Sequence, residues 1–168
     1  MKKLLALLIL IPNLSWATED KQEVFQSPKL IGEGTLKVLM WEVYDLRLFT
    51  DGTPFSWSDK FMLEFDYNRE LKKESVVDAS LKEFKLQPNV TDKDIKAWEM
   101  YLKQVIQSVQ KGTKASVMWF PEGQIVFNYE GSAPSTIENE DFARAFLNIW
   151  LGEKTSRPKL RSQLLGDS

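Results

Sequence analysis

Apolar and polar residues alternate along the chain between Gly32 and Thr50. The even positions of this segment carry Leu36, Val38, Met40, Glu42, Tyr44, Leu46 and Leu48. A repeat of two residues is typical of a strand with one buried face, so the run predicts one bent strand or two consecutive strands. Because Glu42 interrupts the apolar series, we expect a bulge or a hairpin corner at Trp41-Glu42. The turn-forming residues Asp51–Pro54 end the segment.

The same alternation predicts three further strands. In the first, the apolar residues Phe61, Leu63, Phe65 and Tyr67 alternate with Glu64, Asp66 and Asn68. The other two, Ala115–Phe120 and Ile125–Tyr129, are separated by Pro121-Glu122-Gly123, which predicts a β-hairpin. The residues Gly131–Pro134 that follow are expected to form a loop.

Four segments have the apolar spacing of a helix instead. The first is Lys72–Lys85, which Pro88 ends. The second begins at a Thr91 cap and ends at Lys111-Gly112. The third begins at Asn139 and ends at Gly152, with Phe142, Phe146, Ile149 and Trp150 on its buried face. A short fourth helix follows Arg157-Pro158.

This order of elements predicts an α+β fold with helices on one face of an antiparallel sheet. The chain has 168 residues, of which 43% are hydrophobic and 27% charged. Those values are sufficient for one domain with its own core, and they argue against disorder over most of the chain.

The N-terminus has the pattern of a secretory signal peptide. Met1-Lys2-Lys3 is positively charged, Leu4–Leu14 is apolar, and a small residue, Ala17, precedes the polar run Thr18–Lys21. The apolar run is about half the ~20 residues that a membrane span needs, and Pro12 interrupts it. We therefore expect a signal peptide over 1–17 with cleavage after Ala17, a polar leader over 18–27, and a folded domain over 28–168.

The composition of the chain excludes or disfavours several classes of function. Histidine and cysteine are both absent, which excludes Ser-His-Asp and Cys-His nucleophile systems, disulfide bonds and most zinc sites. Without a cysteine to carry a lipid, we expect no stable membrane anchor after cleavage. The net charge of −2 would become −4 once Lys2 and Lys3 were removed, which disfavours nucleic acid as a partner. The acidic residues lack metal-loop spacing, so we expect no metal and no cofactor.

Two blocks of sequence resemble the chalcone isomerase-like family, in its exported bacterial branch. The first runs from Gly32-x-Gly34 to Val43-Tyr44-Asp45, and the second from Phe142-Ala143-Arg144-Ala145-Phe146 to Ile149-Trp150-Leu151-Gly152. Leu160-Arg161 and Leu164-Leu165-Gly166 continue the second block, while Tyr67-x-Arg69 and the hairpin at Gly123 lie between the two. The resemblance covers residues 28–166.

The resemblance implies an open-faced β-sandwich, in which a curved antiparallel sheet is covered by a layer of helices over an apolar cleft. Plant enzymes of this fold cyclise chalcones in the cleft, and related members bind fatty acids with an arginine and a tyrosine on the carboxylate. Tyr44 matches that tyrosine. In this chain Leu36 occupies the position of that arginine, and the nearest basic residue is Lys37, one residue further on. Because successive side chains of a strand point to opposite faces, Lys37 is expected to face the other way.

Five residues are therefore candidates for ligand binding: Lys37, Tyr44, Tyr67, Arg69 and Asn128. No residue is predicted to be catalytic. Each of three candidates also has an interpretation without a ligand. Tyr44 would be a tyrosine at the edge of the core, Lys37 a solvated lysine on a strand, and Asn128 an exposed residue at the sheet edge. Tyr67 and Arg69 are candidates for the cleft mouth, with packing and a surface ion pair as the alternative.

The leading hypothesis from the sequence is a periplasmic or secreted, non-catalytic binder of a small apolar or amphipathic molecule such as a fatty acid. One alternative is an intramolecular lyase or isomerase of chalcone-type substrates, which needs orientation and charge stabilisation but no histidine. Another is an envelope protein that binds a protein partner and whose cleft is filled by its own core.

Overall fold

The computed structural model describes residues 28–167, and the predicted signal peptide and leader lie outside them. Six strands form one open sheet in the order β1-β2-β3-β4-β5-β6, and every neighbouring pair is antiparallel. The strands are β1 Lys29–Val38, β2 Trp41–Thr50, β3 Phe61–Tyr67, β4 Lys114–Phe120, β5 Gln124–Tyr129 and β6 Ser135–Glu138. The helices are α1 Lys73–Phe84, α2 Asp92–Val105, α3 Glu140–Leu151 and α4 Pro158–Leu165.

The long alternating run forms two strands, β1 and β2, joined by a two-residue turn. The corner lies at Leu39-Met40, two residues before the predicted site, and Leu39 has a positive φ of 56°. The register passes from Leu36 opposite Tyr44 to Lys37 opposite Glu42, so Val43 is an extra residue on β2. This bulge changes which face the side chains on either side of it reach.

The main core lies between one face of the sheet and the helices, as the order of elements predicts. That inner face carries Leu46 and Leu48 of β2, Phe61 and Leu63 of β3, and Trp119 of β4, all with 0% exposure. Phe142 and Leu147 of α3, also fully buried, pack against the same core. The α+β arrangement with an open antiparallel sheet is therefore confirmed.

Two helices begin at the caps that the sequence predicts. Thr91 accepts a hydrogen bond from the backbone N–H of Asp94 while the Asp94 carboxylate accepts one from the backbone N–H of Thr91, which is a capping box. Asn139 Oδ1 accepts from the backbone N–H of Phe142 at 2.9 Å. Helix α2 ends earlier than expected, at Val105, because Val109 forms an isolated bridge with Leu71 instead.

Helix α4 lies directly on β1, and the two glycines of the Gly32-x-Gly34 motif make that approach possible. A Cβ atom at Gly32 would overlap the backbone carbonyl of Gln163, and one at Gly34 would lie 2.7 Å from Leu160 Cδ1. A larger residue at position 32 would push the helix away from the strand, and one at position 34 would displace the Leu160 and Gln163 side chains. The motif therefore acts through close packing rather than through a turn.

Candidate functional site: an apolar cavity between the sheet and the helices

An apolar cavity of about 560 Å³ lies between the inner face of the sheet and helices α1 and α3. Leu36, Val43 and Tyr44 line it from β1 and β2. The opposite wall comprises Val76 and Ala79 of α1 together with Phe146, Ile149 and Trp150 of α3. This volume is within the range of roughly 300–1,000 Å³ that small-molecule sites occupy in proteins.

Aromatic rings form a continuous wall of this cavity. Tyr44 meets Phe65 edge-on with ring centroids 5.3 Å apart, and Phe65 meets Trp150 in the same way at 5.2 Å. Phe146 extends the contact from Trp150, at 5.4 Å, to Phe127, at 4.9 Å. Edge-to-face pairs of this kind hold their rings in fixed orientations, so the wall is preformed.

Tyr44 is buried, and its hydroxyl oxygen accepts a hydrogen bond from the indole N–H of Trp150 at 2.8 Å. An indole nitrogen can only donate, whereas a phenol can accept and also donate one proton. The bond to Trp150 therefore leaves the hydroxyl proton of Tyr44 able to donate to a ligand. It also joins β2 to α3 across the cavity.

The tyrosine hydroxyls of the cavity stay protonated at neutral pH. Burial raises the pKa of Tyr44 well above the usual 10, although the Trp150 hydrogen bond and the positive charge of Arg157 oppose that shift. Burial likewise raises the pKa of Tyr67 and of Tyr129, which line the same cavity. These groups can donate or accept hydrogen bonds, but they are poorly suited to proton abstraction.

Arg157 places a positive charge at the polar end of the cavity. It precedes α4, lines the cavity, and acts electrostatically on Tyr44. None of the ion pairs formed among residues 28–167 involves Arg157. The nearby Glu83 also lines the cavity, and its carboxylate accepts a hydrogen bond from the Ser156 hydroxyl at 2.5 Å. The Arg157 guanidinium and the Glu83 carboxylate therefore both act electrostatically on the Tyr44 hydroxyl at this end of the cavity.

Lys37 lies outside this cavity. Its ammonium group pairs with Glu42 Oε1 at 2.7 Å, with both side chains more than half exposed. The Glu42 carboxylate raises the pKa of Lys37, chiefly through that hydrogen bond. The physical reason is the alternation of β1: Leu36 faces the cavity, and the next residue faces away.

Lys37 lines instead a second, polar groove of about 880 Å³ that runs beside the start of α4. Two of the charged side chains that line it are already engaged: Arg47 pairs with Glu64 at 2.6 Å, and Asp45 accepts hydrogen bonds from Thr35 and Asn68. Arg157 lines this groove as well as the apolar cavity. A groove lined mainly by charged and polar side chains offers little to an apolar ligand.

The other sequence candidates divide between the two sides of the sheet. Tyr67 and Arg69 line the apolar cavity with Tyr44, and the Arg69 guanidinium lies over the Trp41 ring at 4.4 Å. Asn128 is on the outer face and is 2% exposed, so it is neither in the cavity nor an exposed edge residue. It donates to Ser116 Oγ at 3.4 Å. The structure thus brings together three of the five candidates.

Sequence reasoning missed Arg157 and the role of Trp150. Arg157 lies between two helices, where no periodic pattern indicates the direction of a side chain. Its only sequence signal is that Pro158 follows it, which places it at a helix start. Trp150 was expected on the buried face of its helix, but its pairing with Tyr44 joins residues 106 positions apart.

Within residues 28–167, no cluster of three or more Asp or Glu side chains could hold a metal ion. Over the same residues, none of the helices combines the length and the apolar character needed to cross a membrane.

Comparison with known proteins agrees with this fold. The chain is similar over 84% of its length to a solved structure of a fatty-acid binding protein from Arabidopsis thaliana, with a TM-score of 0.64, 15% identity and 88% of that chain covered. At that identity the likeness shows the fold alone. A sequence comparison with curated proteins gave no significant match. The family model described as chalcone isomerase-like matches residues 19–166. The chain therefore belongs to the chalcone isomerase-like family.

Proposed function

We propose that this protein is an exported, non-catalytic binder of a single-chain amphipathic molecule with a carboxylate head, such as a fatty acid. The observation that carries the proposal is that an apolar cavity is lined by the guanidinium of Arg157, which forms no ion pair among residues 28–167 and acts electrostatically on the Tyr44 hydroxyl. The apolar chain lies against the aromatic wall. The carboxylate accepts hydrogen bonds from Arg157 and Tyr44.

The apolar part of the cavity supports this proposal through its size and composition. Tyr44, Phe65, Phe127, Phe146 and Trp150 present flat apolar surfaces, and each buried methylene of a ligand contributes about 0.8 kcal/mol. A flexible chain can follow such a wall without needing specific polar contacts. The structural neighbour, which is a fatty-acid binding protein, has the same fold.

The polar end supports a carboxylate head in particular. A guanidinium can bind both oxygens of a carboxylate, and a neutral phenol can donate to the same group. Arg157 reaches the cavity from the start of α4, whereas the arginine of the family's fatty-acid binders corresponds to Leu36 in this chain. In this protein a different element therefore supplies the charge.

Export is the part of the proposal that rests on sequence alone. Met1-Lys2-Lys3, the apolar run and Ala17 have the order of a cleavable signal peptide, and they lie outside the described residues. We place the mature protein in the periplasm or the extracellular medium. N-terminal sequencing of protein recovered outside the cytoplasm should begin at or near Thr18.

The first test is a titration of purified protein with a long-chain fatty acid, followed by intrinsic tryptophan fluorescence because Trp150 lines the cavity. Arg157→Met should weaken fatty-acid binding roughly ten- to a hundred-fold, since a hydrogen bond to a charged group contributes about 1.5–3 kcal/mol. It should leave binding of the chain-matched fatty alcohol within about twofold, because the alcohol has no charge for Arg157 to bind.

The matched control is Lys37→Met, which also removes one exposed cation, but one that does not line the apolar cavity. Its affinity for the fatty acid should equal that of wild type. Equal losses in the two variants would point to general electrostatics and not to a head-group site. Wild-type protein that binds no fatty acid but turns over a chalcone would move the assignment to the intramolecular lyase alternative.

A further inference from the structure

The turn between β1 and β2 presents the most exposed apolar side chains of the described chain. Leu39 is 92% exposed and Met40 is 91% exposed, and they are adjacent. Trp41, at 59%, and Val38, at 42%, flank them. We refer to these four residues, 38–41, as the hairpin tip. Contiguous exposed apolar residues in a soluble domain usually mark an interaction surface.

The hairpin tip is also the mouth of the cavity. Val38, Leu39 and Trp41 line the cavity together with Leu36 and Tyr44, which lie further along the same two strands. The apolar lining is thus continuous from the outer end of the tip to the aromatic wall. A molecule passing along it would keep its apolar chain in contact with apolar side chains throughout.

Shape and size decide what kind of partner fits the hairpin tip. It is a convex two-residue turn, and four side chains expose only a few hundred Å², well below the roughly 800 Å² per partner of a stable protein–protein interface. A fluid apolar layer accepts a small convex wedge, whereas a protein partner would need a matching socket.

The base of the hairpin tip has the chemistry of a membrane interface. The Arg69 guanidinium lies over the Trp41 ring at 4.4 Å, so a cation and an indole are placed together just behind Leu39 and Met40. Tryptophan and arginine are favoured at the level of lipid headgroups, where an apolar body meets a charged layer. The next cation, Lys37, is neutralised by Glu42.

We infer that the hairpin tip inserts Leu39 and Met40 into the headgroup region of a lipid bilayer, so that an amphipathic lipid passes directly between the membrane and the cavity. The inference rests on the proposed function, because it names the source from which the cavity is filled. Docking through two apolar side chains and one cation–π pair is weak and reversible, as exchange of ligand requires.

The test compares wild type with the double variant Leu39→Asn, Met40→Gln. Asparagine tolerates the positive φ at residue 39, and neither change adds charge, so fold and electrostatics are preserved. Binding to phosphatidylcholine vesicles, with and without phosphatidylglycerol, is measured by flotation. Fatty-acid binding in vesicle-free buffer is measured separately by tryptophan fluorescence. The transfer rate of a fluorescent fatty acid from vesicles completes the set.

We expect the tip variant to lose vesicle binding and to take up the fatty acid from vesicles at least about tenfold more slowly. Because Leu39 also lines the cavity, the affinity in buffer is the reference, and the loss of uptake should exceed any loss of that affinity. The control variant Leu86→Asn, Met100→Gln makes the same changes at apolar residues that are 52% and 70% exposed elsewhere. It should behave as wild type in all three assays.

Three outcomes would overturn the inference. Wild-type protein that does not float with vesicles is one, and a tip variant with unchanged uptake is another. The third is a concentration-dependent dimer of wild type, absent in the tip variant, which would assign the tip to a second copy of the chain. Failure to bind fatty acid in buffer would instead contradict the proposed function, and the flotation result would stand apart from it.

Discussion

Both faces of the sheet bury side chains. The outer face buries a row of polar residues, whereas the inner face lines the apolar cavity. On the outer face, Glu64, Ser116 and Asn128 lie opposite one another on three neighbouring strands, each at most 4% exposed. Their polar groups are engaged, as in the Arg47–Glu64 ion pair. On the inner face, the equivalent neighbours Phe65, Ala115 and Tyr129 leave space in front of them.

This difference distinguishes buried polar groups that are satisfied within the protein from polar groups that remain available to a ligand. A buried polar group must be satisfied, and the outer row achieves this within the protein. The cavity in front of the inner face has few polar groups, and the Tyr44 hydroxyl and the Arg157 guanidinium are among those that retain donors. Unused donors facing an apolar space are a better indication of a ligand site than burial of polar residues alone.

The two sides of the sheet should differ most in the free energy of unfolding that is lost when a side chain is truncated. Phe146 on α3 is 3% exposed and contacts Phe127, Phe142 and Trp150. Phe146→Ala should lower the free energy of unfolding by about 3–5 kcal/mol, the usual cost of deleting a buried aromatic ring. Chemical denaturation followed by circular dichroism measures this change.

The control for that deletion is Val126→Ala on the outer face. Val126 is half-buried and packs against the small Met62–Met118 cluster, so its truncation should cost about 1 kcal/mol. Equal losses in the two variants would show that the outer face contributes as much to the core as the inner face does.

Alkaline pH should weaken the inner face selectively. Because burial raises the pKa of Tyr44, Tyr67 and Tyr129, the unfolded chain releases their protons near pH 10 while the folded chain retains them. Stability is therefore complete below about pH 10 and falls as pH rises above it, by up to about 1.4 kcal/mol per pH unit for each tyrosine. Denaturation curves between about pH 8 and pH 11 measure the slope.

The Tyr67→Phe variant sharpens this test, since it removes one of the three titrating groups. Its stability should fall less steeply above pH 10 than that of wild type. A wild-type stability that stays constant between about pH 9 and pH 11 would contradict the assignment of buried, protonated tyrosines.

The smallest of these effects concerns the bond that joins β2 to α3. Tyr44→Phe removes the acceptor of the Trp150 indole proton, and leaving a buried donor unsatisfied costs about 1–3 kcal/mol. The Trp150 indole N–H resonance should shift in the nuclear magnetic resonance spectrum. Tyr101→Phe, at a half-buried tyrosine on α2, is the matched control and should change stability by less than about 0.5 kcal/mol. An unchanged resonance and unchanged stability in Tyr44→Phe would place Trp150 elsewhere.

Most of the fold could be predicted because it follows from local periodicity. The alternation in Phe61–Tyr67 and the helical spacing of Phe142, Phe146 and Trp150 each determine one buried face. Strand β6 was missed, since four residues that follow Pro134 are too few to show alternation. The hairpin corner was predicted two residues too far along the chain, because Leu39 and Met40 are apolar and an apolar turn does not interrupt the alternating pattern.

The site could be predicted only where it lies on a regular element. Tyr44 and Tyr67 share the inner face by alternation on adjacent strands, in register with each other. The same alternation places Asn128 on the outer face, because its neighbours Phe127 and Tyr129 face inward. Arg157 has no such neighbours, and its position depends on where α4 packs, which is a tertiary property that no local pattern carries.

The close packing at Gly32 and Gly34 has a consequence for the order of folding. These glycines belong to the first strand, and the helix that they admit, α4, is the last of the described chain. Arg157 sits at the start of that helix, so the charged end of the cavity forms only when the two extremes of the domain meet. Contacts so distant along the chain carry the largest loop-closure entropy and form late. A chain emerging from a ribosome can build its β4–β5 hairpin early, but it completes the charged end of the cavity last.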